Sequence, residues 1–348
     1  MDKSYWLFHF RLAGEKENNS RNNAHGLGHA YRCLTIIEQL ESSYNISSIV
    51  VINKTLEGKK FITLKGIESF FEDDLETVLK ENPVEIIVSD INYLEEKFIE
   101  TYEKFSSWVS LAPRGQTKYR SSISFKDTLF NDVEPILRSN NNKIFSGVDY
   151  VVTRPEFEVT KRNLLDKGNK KNLYKILISM GGIDHLDLTS TLIHLLSDLG
   201  PSYEIEVIIG PLYSNQENLK NQVSNYASNI TIIRSPENIY LNLAQSDLGI
   251  FAAGLISYES IGLGVPCLNI NLSDFHASRS KELEDLGVGV DLGSILSLSR
   301  LQIKTEISKL VNDKKRLKSM RHKGQTLVDG RGAARIIKEI RKYLVSTI

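Results

Sequence analysis

Leu248-Gly249-Ile250-Phe251-Ala252-Ala253-Gly254-Leu255-Ile256-Ser257-Tyr258-Glu259-Ser260-Ile261-Gly262-Leu263-Gly264-Val265-Pro266 reads as a strand, a glycine turn and a helix in direct succession. Leu248 to Ala252 is an apolar run without alternation, as in a parallel strand covered on both faces. Gly254 interrupts the run, a helix follows from Ser257 to Leu263, and the next strand occupies Val265 to Ile270. Strand, turn, helix and strand in so short a span make a right-handed βαβ unit, the building block of a parallel sheet.

The alternation continues on both sides of this stretch. Upstream the pattern predicts strand Lys175 to Met180, helix Leu186 to Leu199, strand Ile205 to Ile209, helix Asn215 to Ala227, strand Ile230 to Ile233 and a short helix Ile239 to Gln245. Downstream it predicts a helix near Ser278 to Leu286 and two more near Gln302 to Val311 and Gly332 to Leu344. The second half is therefore a doubly wound α/β domain. The first half carries the same rhythm: strand Tyr5 to Phe10, a helix from His29 burying Cys33, Ile36, Ile37 and Leu40, strands Ile46 to Ile52 and Val84 to Ser89, and helices near Phe71 to Lys80 and Leu94 to Lys104. Between Gly115 and Lys143 the pattern weakens, before a short apolar run at Val148 to Val152. A chain of 348 residues exceeds one core. The expected boundaries are an N-terminal domain over 1–160, a linker rich in lysine, asparagine and leucine over 161–174, and a C-terminal domain over 175–348.

Lysine plus arginine and aspartate plus glutamate both number 43, so the formal net charge is zero. That argues against nucleic acid or an anionic membrane as a main partner. The two cysteines, Cys33 and Cys267, form no CxxC and no zinc spacing, which suits a reducing cytoplasm without a structural metal. The apolar run in Met1 to Phe10 is too short for a signal peptide core or a membrane span, so the expectation is a soluble, cytosolic protein. The patterns GxxxxGK[ST], HExxH and GxSxG do not occur; Gly26-Leu27-Gly28 starts a dinucleotide-like GxG, but Tyr31 stands at the third glycine position.

Several residues suit anion or sugar chemistry. His25-Gly26-Leu27-Gly28-His29-Ala30-Tyr31-Arg32 is a glycine-bearing turn into a helix, and Ser179-Met180-Gly181-Gly182-Ile183-Asp184 is another. Such turns offer main-chain N–H groups and a positive helix end to a phosphate, or they are plain tight turns. A positive helix end disfavours an imidazolium, so His29 suits a general base; it also suits a helix-start packing residue, and His25 is a weaker candidate of the same kind. Arg32 shares a helix face with His29 and fits an anionic ligand or a structural ion pair. Asp90 and Asn92 close a strand at its C-terminal end, where open α/β sheets bind ligands. Glu259, after Gly254, fits ribose hydroxyls or simply the helix dipole. His185 and His276 fall in strand-to-helix loops; His9, His194 and His322 have no such setting.

Gly28-His29-Ala30-Tyr31-Arg32-Cys33-Leu34, Ser179 to Asp184, Gly254 to Pro266 and Val328-Asp329-Gly330-Arg331-Gly332-Ala333-Ala334-Arg335-Ile336 occur in an order that resembles the UDP-2,4-diacetamido-2,4,6-trideoxy-β-L-altropyranose hydrolases of pseudaminic acid biosynthesis. Weaker matches lie at Val88-Ser89-Asp90 and Arg154-Pro155-Glu156-Phe157. The resemblance implies a GT-B-like α/β fold with two Rossmann-like doubly wound domains facing a central cleft. It implies hydrolysis of a UDP-amino-deoxy sugar to free sugar and UDP, without metal or other cofactor, with His29 as the base that assists water. Gly26, Gly28, Arg32, Asp90 and Asp274 would lie on the sugar side; Gly181, Gly182, Asp184, Ile239, Gly254, Leu255, Ser257 and Glu259 would hold the nucleotide. The chain departs from the family near the sugar: the segment before Gly28 is longer and lacks an Asp-Ala/Ser pair after Phe10-Arg11, Trp108 to Pro113 lacks paired aspartates, and Asp274-Phe275 replaces a common Asn-Gln. A GT-B glycosyltransferase with a UDP-sugar donor and a non-catalytic nucleotide-sugar-binding protein are the alternatives.

Overall fold

The computed structural model describes residues 4–12, 27–92, 94–105, 107–112, 120–127, 143–164, 173–184, 186–226 and 229–347. His25, Gly26, His185 and most of the expected linker lie outside them. The chain forms two compact units, Met1–Arg154 with Arg331–Ile348, and Pro155–Gly330.

The first unit contains β1 (Tyr5–Phe10), α1 (Gly28–Tyr44), β2 (Ser47–Ile52), α2 (Leu56–Leu64), β3 (Ser69–Phe71), α3 (Leu75–Glu81), β4 (Val84–Asp90), α4 (Glu96–Phe105), β5 (Ser107–Leu111), β6 (Ile123–Lys126) and β7 (Lys143–Ser146). The strands are parallel in the order β3-β2-β1-β4-β5-β6-β7. Winding reverses between β1 and β4, where Phe10 and Asp90 are in register. Phe8 and Phe10 pack beneath Cys33, Ile36 and Ile37 of α1, while Leu7 alternates to the other face among Val78, Phe98 and Tyr102. Burial of each such aliphatic or aromatic side chain contributes about 1.5–3 kcal/mol, so the sheet is fastened on both faces. α1 ends where Asn45 turns left-handed at φ 54° and returns its N–H to Glu41.

The second unit contains α5 (Pro155–Arg162), β8 (Tyr174–Ser179), α6 (Leu188–Leu196), β9 (Tyr203–Ile209), α7 (Gln216–Ser224), β10 (Asn229–Arg234), α8 (Ile239–Gln245), β11 (Leu248–Ala252), α9 (Leu255–Gly262), β12 (Cys267–Asn271), α10 (Asp274–Asp285), β13 (Gly289–Ser294), α11 (Arg300–Asn312) and α12 (Lys314–Leu327). Its parallel order is β10-β9-β8-β11-β12-β13, and winding reverses between β8 and β11, where Ser179 and Phe251 are in register. Both units thus have a topological switch point at the carboxyl ends of their strands, where doubly wound sheets bind ligands.

The last helix, α13 (Gly332–Thr347), returns to the first unit. Its Ile336, Ile337 and Ile340 join the core of Trp6, Phe8 and Ile36, and α5 joins the second unit through Phe157 against Tyr240, ring centroids 5.6 Å apart. The expected boundary at 161–174 and the assignment of the last helix to the C-terminal domain are corrected accordingly. An amphipathic pattern says that a helix buries one face; it does not say against which core.

Other differences have local causes. Ser69–Phe71 pairs with β2 as a strand, so the helix expected from Phe71 begins only at Leu75. α10 starts earlier than expected, at Asp274, because the Ser273 hydroxyl accepts the His276 N–H at 3.4 Å. β5 and β6 hide in the sequence because Ser110 and Ser124, with Ser121 just before β6, interrupt the apolar character. Their hydroxyls satisfy one another at 2.9–3.0 Å inside the core. Among the described residues no helix is long and apolar enough to cross a membrane.

Candidate functional site

At the switch point of the first unit, β4 ends on Asp90, which is fully buried. Its carboxylate faces α1. Oδ1 lies 2.7 Å from His29 Nδ1 and accepts Arg32 Nη2 at 2.6 Å; Oδ2 accepts Arg32 Nε at 2.7 Å. The i, i+3 spacing of His29 and Arg32 brings both onto that face. Arg32 Nη1 also reaches Asp127, beyond β6, at 3.4 Å. Burial alone would raise the Asp90 carboxyl, but the Arg32 charge and then His29 outweigh it and hold it at about 2. Asp90 is therefore ionised at neutral pH and accepts hydrogen bonds only, which makes Nδ1 the hydrogen-bearing nitrogen of neutral His29 and leaves the Nε2 lone pair as the proton acceptor. The His29 side chain retains 14 % exposure, and Asn92 Nδ2 stands 3.4 Å from Nε2.

This geometry alters two sequence expectations. Asp90 and Arg32 were expected on the sugar, yet both are buried in one bidentate ion pair; Arg32 holds Asp90, and Asp90 holds His29. Gly28 is exposed at the first position of α1, preceded by Leu27 with no side-chain cap on the helix.

In the second unit the turns after β8 and β11 lie side by side, because those strands are neighbours. Gly181 has φ +93°, a left-handed conformation that strains any other residue, and a β-carbon there would meet open space. Gly182 supports Gly210, where a β-carbon would lie 2.3 Å from the Gly182 oxygen. Asp184 was expected on the nucleotide, but its two oxygens accept the N–H groups of Leu188 and Thr189, each at 2.9 Å. It caps α6, and its negative charge fills the place an anion would take.

α9 is different: Gly254 stands at its N-cap and has no side chain to cap it. Gly254, Leu255 and Ile256 are half-buried at this start. Ser257 is turned inward; its hydroxyl donates to Asn269 of β12 at 2.7 Å and its N–H to the Gly254 carbonyl at 3.2 Å. The hydroxyl of Ser257, a residue expected at the nucleotide, is thus engaged with Asn269. Glu259 is buried, and its Oε1 accepts the Tyr240 hydroxyl at 2.5 Å, which fixes its orientation beside the start of α8, where Ile239 lies. Asp274 is exposed at the start of α10, on the same sheet edge.

Sequence reasoning missed two groups. His9, fully buried in β1, contacts the Tyr102 hydroxyl through Nδ1 and Glu72 at 2.8 Å through Nε2, and Glu72 in turn accepts Arg11 Nε at 2.6 Å. Burial lowers the His9 imidazole's affinity for a proton against the opposing pull of Glu72. Arg279, only 4 % exposed, lies over Phe275 and Tyr258 at 4.5 and 5.1 Å from their ring centroids and donates to the Ala253 carbonyl at 3.4 Å. Its four-residue spacing from Phe275 was the available signal.

No protein-family model matches the chain. It is 24 % identical over 258 residues to the uncharacterized protein MJ1062 of Methanocaldococcus jannaschii, a match covering 69 % of this chain and 52 % of that one. It is 25 % identical over 229 residues to the spore coat polysaccharide biosynthesis protein SpsG of Bacillus subtilis, covering 64 % and 66 %. The chain thus spans about half of the first relative and just under two thirds of the second.

Solved structures cover nearly the whole chain. MurG of Acinetobacter baumannii has TM-score 0.66 at 15 % identity over 98 % of this chain and 99 % of its own. UDP-GlcNAc 2-epimerase of Neisseria meningitidis, bound to UDP-GlcNAc, has 0.65 at 14 % over 97 % and 100 %. CalG4, the calicheamicin glycosyltransferase, has 0.59 at 13 % over 99 % of each. With two doubly wound units and these likenesses, the chain has the GT-B fold of two Rossmann-like domains.

Proposed function

We propose that this chain is a nucleotide-sugar enzyme that breaks the bond between a sugar's anomeric carbon and UDP, with His29 as the base for the attacking O–H. The observation that carries the reading is the buried, ionised Asp90 on His29 Nδ1, which leaves Nε2 to take a proton at the ligand-binding edge of the sheet. UDP would lie on the second unit, its diphosphate against the uncapped start of α9 at Gly254 and Leu255, with Gly181 and Gly182 giving the main chain close approach and Glu259 fixed for the ribose. Main-chain N–H groups and a helix end can hold a diphosphate leaving group in the way a metal does elsewhere.

Two acceptors fit. Transfer to a sugar or aglycone hydroxyl is favoured by the fold likeness to a glycosyltransferase, and polysaccharide assembly agrees with the name of SpsG. Hydrolysis of a UDP-amino-deoxy sugar on the way to a pseudaminic-type acid is favoured by the order of the sequence motifs. A proton NMR time course with a panel of UDP-amino sugars separates them. Free sugar and UDP without an acceptor mean hydrolysis, UDP only on adding a hydroxyl acceptor means transfer, and no UDP release under either condition removes the reading.

A further inference from the structure

Asn92 lies two residues beyond Asp90, so one strand end carries both the carboxylate at Nδ1 of His29 and an amide at Nε2. The amide is 7 % exposed and poorly matched as it stands. Its Nδ2 is 3.4 Å from Nε2, long for an N–H donor, and its Oδ1 is buried with no hydrogen-bond partner among the described residues. An unmatched buried acceptor is costly and calls for a physical reason. The last torsion of an asparagine side chain is soft and two-fold, so a half turn exchanges oxygen and nitrogen in almost the same space.

We infer that Asn92 is a positioning residue for the proton on His29. The inference rests on the proposed role of His29 as base. While the imidazole is neutral, the amide nitrogen faces Nε2. In the reaction, the acceptor O–H gives its proton to Nε2 as its oxygen bonds to the anomeric carbon. The anomeric C–O bond to the diphosphate breaks, and its electron pair leaves on UDP. The resulting imidazolium donates at both nitrogens: Nδ1–H to Asp90, and Nε2–H to the Asn92 carbonyl after the half turn. A long neutral contact is thereby replaced by a charge-assisted bond, and the orphaned oxygen gains its donor. The amide thus stabilises the protonated base more than the neutral one, which is the differential binding that lowers a barrier. Among the described residues, Asp90 from β4, Arg32 from α1 with Nη2 3.4 Å from Nδ1, and Asp127 through Arg32 act from the Nδ1 side, and the neutral Cys33 thiol lies 3.8 Å from Asp90.

The test is an NMR titration of the full-length protein with nitrogen-15-labelled histidine and no substrate, the His29 signal being identified by its loss in His29→Gln. Asn92→Leu keeps the volume and removes both polar atoms. It is expected to lower the proton affinity of His29 about threefold or more, moving its midpoint to lower pH by about half a unit. The acid limb of the kcat/KM profile should move with it. If Asn92→Leu does not fold, Asn92→Ala gives the same reading. A midpoint equal to the parent's, or higher, overturns the inference. The titration needs no sugar nucleotide, so its outcome is separate from that of the UDP-release assay: an active enzyme with an unmoved midpoint removes the role of Asn92, and an inactive one with a lowered midpoint removes only the proposed reaction.

Discussion

His29 Nδ1 lies 2.7 Å from the Asp90 carboxylate, across the switch point of the first sheet. The pair divides the imidazole into a held nitrogen and a working one. His29→Ala removes the working nitrogen and leaves the residues of the second unit's glycine turns as they are. Turnover should fall by about 10²-fold or more while UDP affinity stays at the parental value. Steady-state release of UDP and calorimetric UDP binding check the two halves; turnover at the parental level would remove His29 from the role of base.

Asp90→Asn keeps the shape of the carboxylate and removes its charge. It permits the wrong imidazole tautomer and leaves the buried Arg32 guanidinium with Asp127 as its one carboxylate partner among the described residues. The expected result is loss of activity comparable with His29→Ala, together with a stability loss of about 3 kcal/mol from the broken buried pair. Urea unfolding separates the two variants, because His29→Ala should unfold close to the parental midpoint.

Acid should weaken the first unit in stages. Burial makes the His9 imidazole harder to protonate than its ordinary 6.5, so folding loses free energy as soon as the unfolded chain gains that proton. Burial would raise Glu72, but hydrogen bonds from His9 and Arg11 hold it at about 2 against an ordinary 4.5; Asp90 is at about 2 against 3.8. Both carboxyls are depressed, so their contribution is whole above about pH 5 and disappears as the pH falls through 2. For Asp90 it amounts to about 2 kcal/mol. Urea midpoints at pH 7, 5, 4 and 2.5 should fall monotonically, and the drop between pH 4 and 2.5 should shrink in Asp90→Asn.

The sequence was most legible where one element carries its own signal. α8 and β11 lie where apolar periodicity put them, Ile239–Gln245 and Leu248–Ala252. It was least legible where the reason for an element lies elsewhere in the chain. The serines of β5 and β6 read as loop residues, because the hydroxyls that satisfy them belong to one another. α12 buries only Leu317, Met320 and Gly324 and shows almost no apolar face. The site divides in the same way. Its glycines and His29 stood out locally, whereas the partnership of His29 with Asp90 spans 61 positions and no spacing rule joins them. The capping role of Asp184 was hidden because a carboxylate that caps a helix and one that greets a ligand look alike in one dimension.

The return of α13 to the first unit depends on a close approach. A β-carbon on Gly332 would lie 2.0 Å from the Val151 carbonyl oxygen and 2.5 Å from its carbon, both backbone atoms that cannot rotate away. Gly332→Ala should therefore lift the start of α13 off Val151 and cost about 2 kcal/mol or more. Hydrogen exchange should show the loss in α13 and in the β1 core beneath it, with α9 unchanged. Equal protection in α13 would mean that the helix is not held there.

The two helix starts beside the β8–β11 junction make opposite predictions. α6 is closed by Asp184, so Asp184→Ala should cost about 1 kcal/mol of stability through the lost cap and leave UDP affinity unchanged. α9 is open at Gly254, whose φ of −100° suits any residue and whose β-carbon position is no closer than 3.6 Å to the Ala252 oxygen. Gly254→Ser fits without strain and supplies a hydroxyl that competes for the first-turn N–H groups. Stability should hold or rise slightly, while UDP affinity falls about tenfold, roughly the worth of one charge-assisted hydrogen bond to phosphate. Thermal unfolding with and without UDP reads both quantities in one experiment. The reverse pattern, with UDP stabilisation lost in Asp184→Ala and kept in Gly254→Ser, would move the diphosphate from α9 to α6.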